Sequence, residues 1–119
     1  RLVVDIDMPP ALGSLGFPPL LLISLVETAV RHGVEPKTGS ARIELAARRD
    51  ERRGVPRLEV SVQDDGVGLA EGLVEGTGLA NVSGQLEALY GAAARLSIES
   101  RATGGVRAAI SIPIGLLAA

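Results

Sequence analysis

The chain contains no cysteine and no tryptophan, and it has one phenylalanine and one tyrosine, Phe17 and Tyr90. The absence of cysteine excludes disulfides and thiolate metal sites, and it is compatible with a reducing compartment. Two aromatic side chains cannot build the stacking surface that single-stranded nucleic acid requires. We therefore expect no nucleic-acid partner.

The chain also lacks a strong charge imbalance and a long apolar run. Its 12 Lys and Arg against 14 Asp and Glu give a formal net charge of −2, which predicts no general attraction to nucleic acid or anionic membranes. The longest apolar run, Pro18 to Val26, is far shorter than the ~20 residues of a membrane span, and no signal peptide is visible. We expect no membrane contact by this chain and a cytoplasmic location.

The length predicts a single domain. With 119 residues, of which 46% are hydrophobic, the chain can bury a substantial core, and we expect one domain that spans residues 1–119. It begins at Arg1 inside a predicted strand and without a starting methionine. We therefore expect a fragment of a longer protein, and an inner-membrane protein is one candidate for that parent.

Hydrophobic periodicity and glycine or proline breaks predict five strands and two helices. The strands are predicted at Leu2–Asp7, Ala41–Arg49, Leu58–Val62, Ala94–Ser100 and Val106–Ile112, and the helices at Leu20–Arg31 and Leu79–Tyr90. The first helix is predicted to be mostly buried. Because pairs of strands flank the helices, we expect an α/β (α+β) two-layer sandwich. Its sheet should be mixed and mostly antiparallel, with the helices on one face.

Two glycine-rich turns are the most informative local feature. Asp64–Gly68 follows a predicted strand, and Gly76–Asn81 opens a predicted helix. Glycine permits positive φ and close approach of a ligand to the main chain. A helix start directs free N–H groups at an anion. With a carboxylate at the first turn, the pair indicates a nucleotide site, in which the carboxylate contacts the base and the amides contact phosphates.

A polar stripe interrupts the first apolar helix. Ser24, Thr28 and Arg31 are spaced i, i+4 and i+7, with Glu27 and His32 beside them, which puts them on one helical face. Such a stripe either lines a cleft or is a helix edge that meets solvent. In a cleft, Arg31 would contact phosphate and Glu27 would orient water or a metal.

Three segments, taken in order, resemble the N box, G1 box and G2 box of the GHKL ATPase superfamily, which includes DNA gyrase B, MutL and the sensor histidine kinases. These segments are Glu27–Gly33, Asp64–Gly68 and Gly76–Asn81. Flanking residues are similar in particular to the ATP-binding catalytic domain of LytS-type sensor histidine kinases. The flanking matches are Pro18–Leu21, His32-Gly33, a short lid at Leu69–Gly76, and Leu89–Gly91.

The resemblance implies the Bergerat ATP-binding fold, with ATP and Mg²⁺ as cofactors. It implies transfer of the γ-phosphate to a histidine on a dimerisation domain that this chain lacks, with a response regulator downstream. At the adenine end, Asp64 would accept a hydrogen bond from the amino group, while Gly66 and Gly68 would let the backbone pass close to the base. Arg31 would lie near the phosphates, and His32 would pack against the nucleotide. Gly76 and Gly78 would flex the lid and present amides to the phosphates, and Thr77 and Leu79 are the remaining implied nucleotide contacts.

The chain departs from the family pattern mainly at the metal end. Thr28 replaces the asparagine that holds Mg²⁺ through its amide oxygen, so the implied metal ligand is a shorter hydroxyl. Glu27 is the candidate catalytic residue. Further departures are Ser24, Asp65, Gln85 and Val106.

These departures leave more than one function open. The first is an active histidine kinase domain. The second is a catalytically degenerate nucleotide-binding or docking module without kinase activity. The third, a serine kinase resembling anti-sigma factors, fits the flanks less well. The single histidine, His32, lies in the N box and is a poor candidate for the phosphoacceptor.

Overall fold

The computed structural model describes residues 2–7, 15–29, 41–52, 54–65, 78–100 and 105–117. These residues form five strands and two α-helices. In chain order the elements are β1 (Leu2–Asp7), α1 (Pro19–Ala29), β2 (Ala41–Asp50), β3 (Arg57–Asp64), α2 (Gly78–Tyr90), β4 (Arg95–Ser100) and β5 (Val106–Pro113). No helix among the described ranges is long and apolar enough to cross a membrane.

The five strands form one mixed sheet in the order β1-β2-β3-β5-β4. β1 runs parallel to β2, whereas the β2–β3, β3–β5 and β4–β5 pairs are antiparallel. The parallel pair is possible because α1 lies between its two strands in sequence, and a crossover of this kind returns the chain in the same direction. The predicted mixed, mostly antiparallel sheet is confirmed.

Both helices cover the same face of the sheet. α1 contacts β3 and α2, and α2 contacts β4. The apolar side chains of β3 alternate with polar ones, which directs Leu58, Val60 and Val62 to the helices. They pack in one core with Leu25 of α1 and Val82 of α2. The predicted two-layer sandwich is therefore confirmed.

α1 is buried on one side only. Leu21, Leu25 and Thr28 face the core, at the i, i+4, i+7 spacing of a single helical face. Leu20 is 70% exposed and Ile23 is 50% exposed. The prediction that this helix is mostly buried is wrong, because α1 packs mainly on β3 and α2, and its outer side meets no further layer among the described residues.

In the structure β2 and β3 extend into polar residues beyond the segments predicted from their apolar patterns. β3 begins at Arg57 and ends at Asp64, where the prediction covered Leu58–Val62, and β2 reaches Asp50. The added residues are polar but still pair: Asp50 is opposite Arg57, and Ile43 is opposite Asp64. Backbone pairing continues past the end of the apolar alternation, so the hydrophobic pattern underestimates the length of the strand.

The sheet face opposite α1 and α2, which no other described element covers and which we call the uncovered face, carries a charged cluster centred on Glu59. Its carboxylate accepts hydrogen bonds from Arg48 Nε at 2.8 Å and from Arg107 Nη2 at 2.9 Å. Partial burial alone would raise the pKa of Glu59, but these two arginines outweigh it and lower the pKa below its usual value. The cluster ties β2 to β5 across β3 because its three members lie on three adjacent strands.

We expect Glu59→Gln to lower the free energy of unfolding at pH 7 by about 1 kcal/mol, since the amide keeps the shape but loses the charge that both arginines contact. Glu59 has a lower pKa in the folded protein than when unfolded, where it is about 4.3. Its stabilisation is therefore present above that value and is lost as pH falls through the folded pKa. Chemical denaturation at pH 7 and pH 3 measures this.

The matched control is Glu51→Gln, which alters a more exposed carboxylate paired with Arg49. That variant should change stability much less at either pH. A Glu59→Gln deficit that is the same at pH 3 as at pH 7 would contradict the assignment of the effect to the charge.

Candidate functional site

Asp64 places a carboxylate on the apolar, helix-covered face of the sheet. It is the last residue of β3 and only 3% exposed, and it alternates in phase with Val60 and Val62. Its strand partner on the same face is the buried Ile43. A buried carboxylate is costly unless it is hydrogen-bonded. Asp64 thus lies at the strand end where the family resemblance predicts the carboxylate that contacts the base.

Gly105 holds the main chain directly against Asp64. It is buried, has a φ of +86°, and precedes the first residue of β5. A β-carbon on Gly105 would overlap the carbonyl oxygen of Asp64 and would lie 2.9 Å from its carboxylate Oδ1. Both the backbone conformation and the space at this position require glycine.

Asp65 joins the end of β3 to the start of β2. Its Oδ1 accepts a hydrogen bond from the Arg42 backbone N–H at 2.8 Å, and its own N–H donates to the Arg42 carbonyl at 3.3 Å. The Arg42 guanidinium in turn donates to Asp5 Oδ2 of β1 at 2.7 Å. In this structure the second residue of the G1-like segment therefore fixes the strand end that carries Asp64.

Thr28 and Glu27 lie on different sides of α1. Thr28 is 7% exposed, and its Oγ1 donates a hydrogen bond to the Ser24 carbonyl at 2.9 Å. Its oxygen can still accept or coordinate through its lone pairs, but from a buried position. Glu27 is exposed. The structure thus does not bring the two side chains to one face, although the sequence spacing grouped them in one polar stripe.

α2 begins within the predicted phosphate-binding turn, Gly76–Asn81. The helix begins at Gly78, includes Leu79 in its first turn, and has no acidic residue there. First-turn N–H groups lack intrahelical acceptors and favour negative charge.

Of the other departures from the family pattern, Gln85 is exposed on α2, and Val106 is 8% exposed and packs in the core.

Several predicted site residues lie outside the described residues. They are Arg31, His32, Gly66, Gly68, Gly76 and Thr77, together with the predicted lid, Leu69–Gly76. Within the described ranges, no group of three or more His, Asp and Glu side chains could hold a metal ion.

A cavity of about 440 Å³ opens on the uncovered face of the sheet, away from Asp64 and Thr28. Several of its charged lining residues are paired within the protein: Asp50 pairs with Arg52 at 2.8 Å, and Arg57 donates to Ser111 Oγ at 2.6 Å. None of the predicted site residues lines it. We therefore assign the candidate site to the helix-covered face.

Sequence reasoning missed Gly105 and Arg42 as parts of the site. Gly105 lies just before the predicted strand Val106–Ile112 and was given no part in the site. Its closeness to Asp64 depends on the β3–β5 register, in which Gln63 is opposite Arg107. A glycine doublet directly before a strand, Gly104-Gly105, was the available signal. Arg42 carried no signal, because an arginine at a strand start is ordinary.

Solved structures of histidine kinases share this fold. A blue-light activated histidine kinase from Erythrobacter litoralis EL346 superposes with a TM-score of 0.69 and 23% identity, covering 95% of this chain and 35% of that chain. The nucleotide-free catalytic domain of histidine kinase ThkA gives 0.67 and 20%, covering 94% and 79%. Histidine kinase AdeS from Acinetobacter baumannii gives 0.65 and 17%, covering 96% and 55%.

Neither a protein-family model nor a curated protein sequence matches the chain. The chain spans about a third of the Erythrobacter kinase chain but most of the ThkA catalytic domain. At these identities the likeness establishes the fold, which is that of a histidine kinase catalytic domain, and leaves the activity to be argued from the site.

Proposed function

We propose that this chain is the ATP-binding catalytic domain of a sensor histidine kinase of the LytS type. The observation that carries the proposal is the buried Asp64 carboxylate at the end of β3, within a fold shared with histidine kinase catalytic domains. The LytS-type assignment rests on the sequence flanks, above all Pro18–Leu21 and Leu89–Gly91.

Adenine fits the chemistry of Asp64. An ionised carboxylate only accepts hydrogen bonds, so it favours the amino group of adenine over the carbonyl oxygen that guanine and hypoxanthine carry at the same position. A site that hydrogen-bonds a ligand group in a buried setting discriminates strongly against analogues without it. Asp64 is therefore the residue that selects ATP.

The phosphates would lie towards the start of α2. The first-turn N–H groups after Gly78 suit phosphate oxygens, and Arg31 and Thr77 are the other proposed contacts at this end. His32 would pack against the nucleotide, and Gly66, Gly68 and Gly76 would keep the loops close to it. Phosphoryl transfer depends mainly on positioning and charge neutralisation, which such a cleft supplies.

The proposed reaction transfers the γ-phosphoryl group to an imidazole nitrogen of a histidine on a separate dimerisation domain. The bond between the γ-phosphorus and the β,γ-bridging oxygen breaks, a phosphorus–nitrogen bond forms, and ADP leaves. Glu27 is the proposed residue for orienting the reacting groups. The partners are the dimerisation domain and, downstream, a response regulator. In this role the domain works in the cytoplasm as one part of a longer protein.

Thr28 favours a second candidate function, a nucleotide-binding or docking module without kinase activity. Its hydroxyl is buried and donates to Ser24 within α1, so it is a weaker magnesium ligand than the family's asparagine amide. Mg²⁺ is held by one or two protein oxygens together with the phosphates. A single weak protein ligand would lower kinase activity without preventing ATP from binding.

Asp64→Ala should weaken ATP binding by ~1–3 kcal/mol, or roughly 5- to 150-fold, because the adenine amino group loses its acceptor. Isothermal titration calorimetry measures this. The matched control is Ser61→Ala, which alters another buried polar residue of β3 that pairs on the opposite sheet face. Equal ATP affinity in Asp64→Ala and in the unaltered chain would contradict the proposed role.

Thr28→Asn should increase the magnesium-dependent part of ATP affinity, because the amide oxygen reaches further than the back-bonded hydroxyl. The unaltered chain should bind ATP with weak Mg²⁺ dependence and should show low phosphotransfer. Titrations of ATP with and without Mg²⁺ for both proteins test this. If the unaltered chain already binds Mg·ATP much more tightly than free ATP, and Thr28→Asn adds nothing, the degenerate-site alternative is excluded.

A further inference from the structure

The space around Gly105 sets it apart from two other glycines with positive φ, Gly54 and Gly91. Gly54, Gly91 and Gly105 have φ values of +80°, +63° and +86°. An added β-carbon at Gly54 or Gly91 would meet nothing within 4 Å, whereas at Gly105 it would overlap the main chain of Asp64 and approach its carboxylate. The turn conformation alone thus explains Gly54 and Gly91 but not Gly105.

The contact is made with the residue that the proposed function depends on. A β-carbon added to Gly105 would overlap the Asp64 carbonyl oxygen and would lie 2.6 Å from the Asp64 carbonyl carbon and 2.9 Å from the carboxylate Oδ1. The bare α-carbon of Gly105 therefore occupies the space beside the last peptide of β3. Any side chain there must displace that peptide, and the carboxylate would move with it.

The opposite edge of this peptide is fixed. Asp64 is opposite Ile43, and the next residue, Asp65, exchanges two hydrogen bonds with Arg42 at the start of β2. Gly105 approaches from the β5 side, just beyond the Gln63–Arg107 pair. The end of β3 is thus clamped between β2 and the Gly105 backbone, and it cannot yield towards β2 without breaking the Arg42 contacts.

We infer that Gly105 is a positioning residue for base selection: its backbone holds the Asp64 carboxylate where it can accept the hydrogen bond of an adenine amino group. This inference rests on the proposed ATP-binding function. It adds that the preference for adenine depends on Gly105, which directly precedes β5, as well as on Asp64, which ends β3. Gly105 has no side chain and acts only through its backbone.

The experiment compares ATP with ITP, which carries a carbonyl oxygen in place of the adenine amino group. Binding of each to the unaltered chain, Gly105→Ala and Gly54→Ala is measured by calorimetry without Mg²⁺. We expect Gly105→Ala to lower the ratio of ATP to ITP affinity about tenfold, the effect of one lost hydrogen bond. Gly54→Ala has a similar φ penalty but no overlap, so its ratio should not change.

A merely structural role would lower the melting temperature of Gly105→Ala and leave the ratio unchanged, and that result would overturn the inference. In the Asp64→Ala background, Gly105→Ala should have no further effect on the ratio, because the carboxylate that it positions is absent. A further drop in that background would also count against positioning through Asp64.

If Gly105→Ala does not fold, the unaltered chain provides the test through its ¹H–¹⁵N spectrum. ATP should shift the Gly105 amide resonance more than ITP does and leave Gly54 unmoved. Equal shifts of Gly105 by both nucleotides would overturn the inference.

Failure of the proposed function gives a different pattern. If the unaltered chain binds ATP and ITP equally, or binds neither, Asp64 does not select adenine. The inference that Gly105 contributes to base selection is then wrong as well. Whether Gly105 positions the Asp64 carboxylate is then tested by measuring the ¹³C chemical shift of the Asp64 carboxyl carbon in the nucleotide-free protein. A shift in Gly105→Ala but not in Gly54→Ala supports the contact, and no shift in either excludes it.

Discussion

The proposed site depends on keeping a carboxyl group at the edge of an apolar layer. Asp64 ends β3, which lies centrally in the sheet between β2 and β5, and its side chain lies on the face that the helices cover. A carboxylate in such surroundings must be hydrogen-bonded to be tolerated. The neighbouring contacts, Asp65 with Arg42 on one side and Gly105 on the other, fix the geometry of that strand end.

The two faces of the sheet hold different kinds of interaction. On the uncovered face, Glu59 and its two arginines join three strands through charge-assisted hydrogen bonds. On the covered face, apolar side chains fill the space below α1 and α2, and the polar exceptions, Thr28 and Asp64, are the residues that the family resemblance marks for metal and base. Because burying a polar group is costly, polar residues in a core layer are candidates for a functional role.

Much of the fold could be predicted from the sequence because its elements have local signals. Alternation in Leu58–Val62 and helical spacing in the α2 segment gave the right element types, and the paired strands gave the sheet class. The strand ends were missed because polar residues such as Asp64 pair through their backbone, which no hydrophobic pattern records. The outer side of α1 was mispredicted because an apolar composition does not tell whether a second layer covers it.

The site could be predicted only where a residue's role is local. Asp64 was proposed because it stands between a predicted strand and a glycine turn and matches the G1 box, although Asp-Asp-Gly by itself is also an ordinary turn sequence. Gly105 and Arg42 act through spatial contacts that exist only once the strand register is set. Thr28 was identified by comparison with the family's asparagine, but its hydrogen bond to Ser24 and its burial required coordinates.

A crystal structure of this chain with a non-hydrolysable ATP analogue is the most direct test of adenine recognition by Asp64. The adenine amino nitrogen should lie about 2.7–3.2 Å from a carboxylate oxygen of Asp64, with the base beside β3 on the helix-covered face. A nucleotide bound on the uncovered face, or a base whose amino group makes no contact with Asp64, would contradict the central claim.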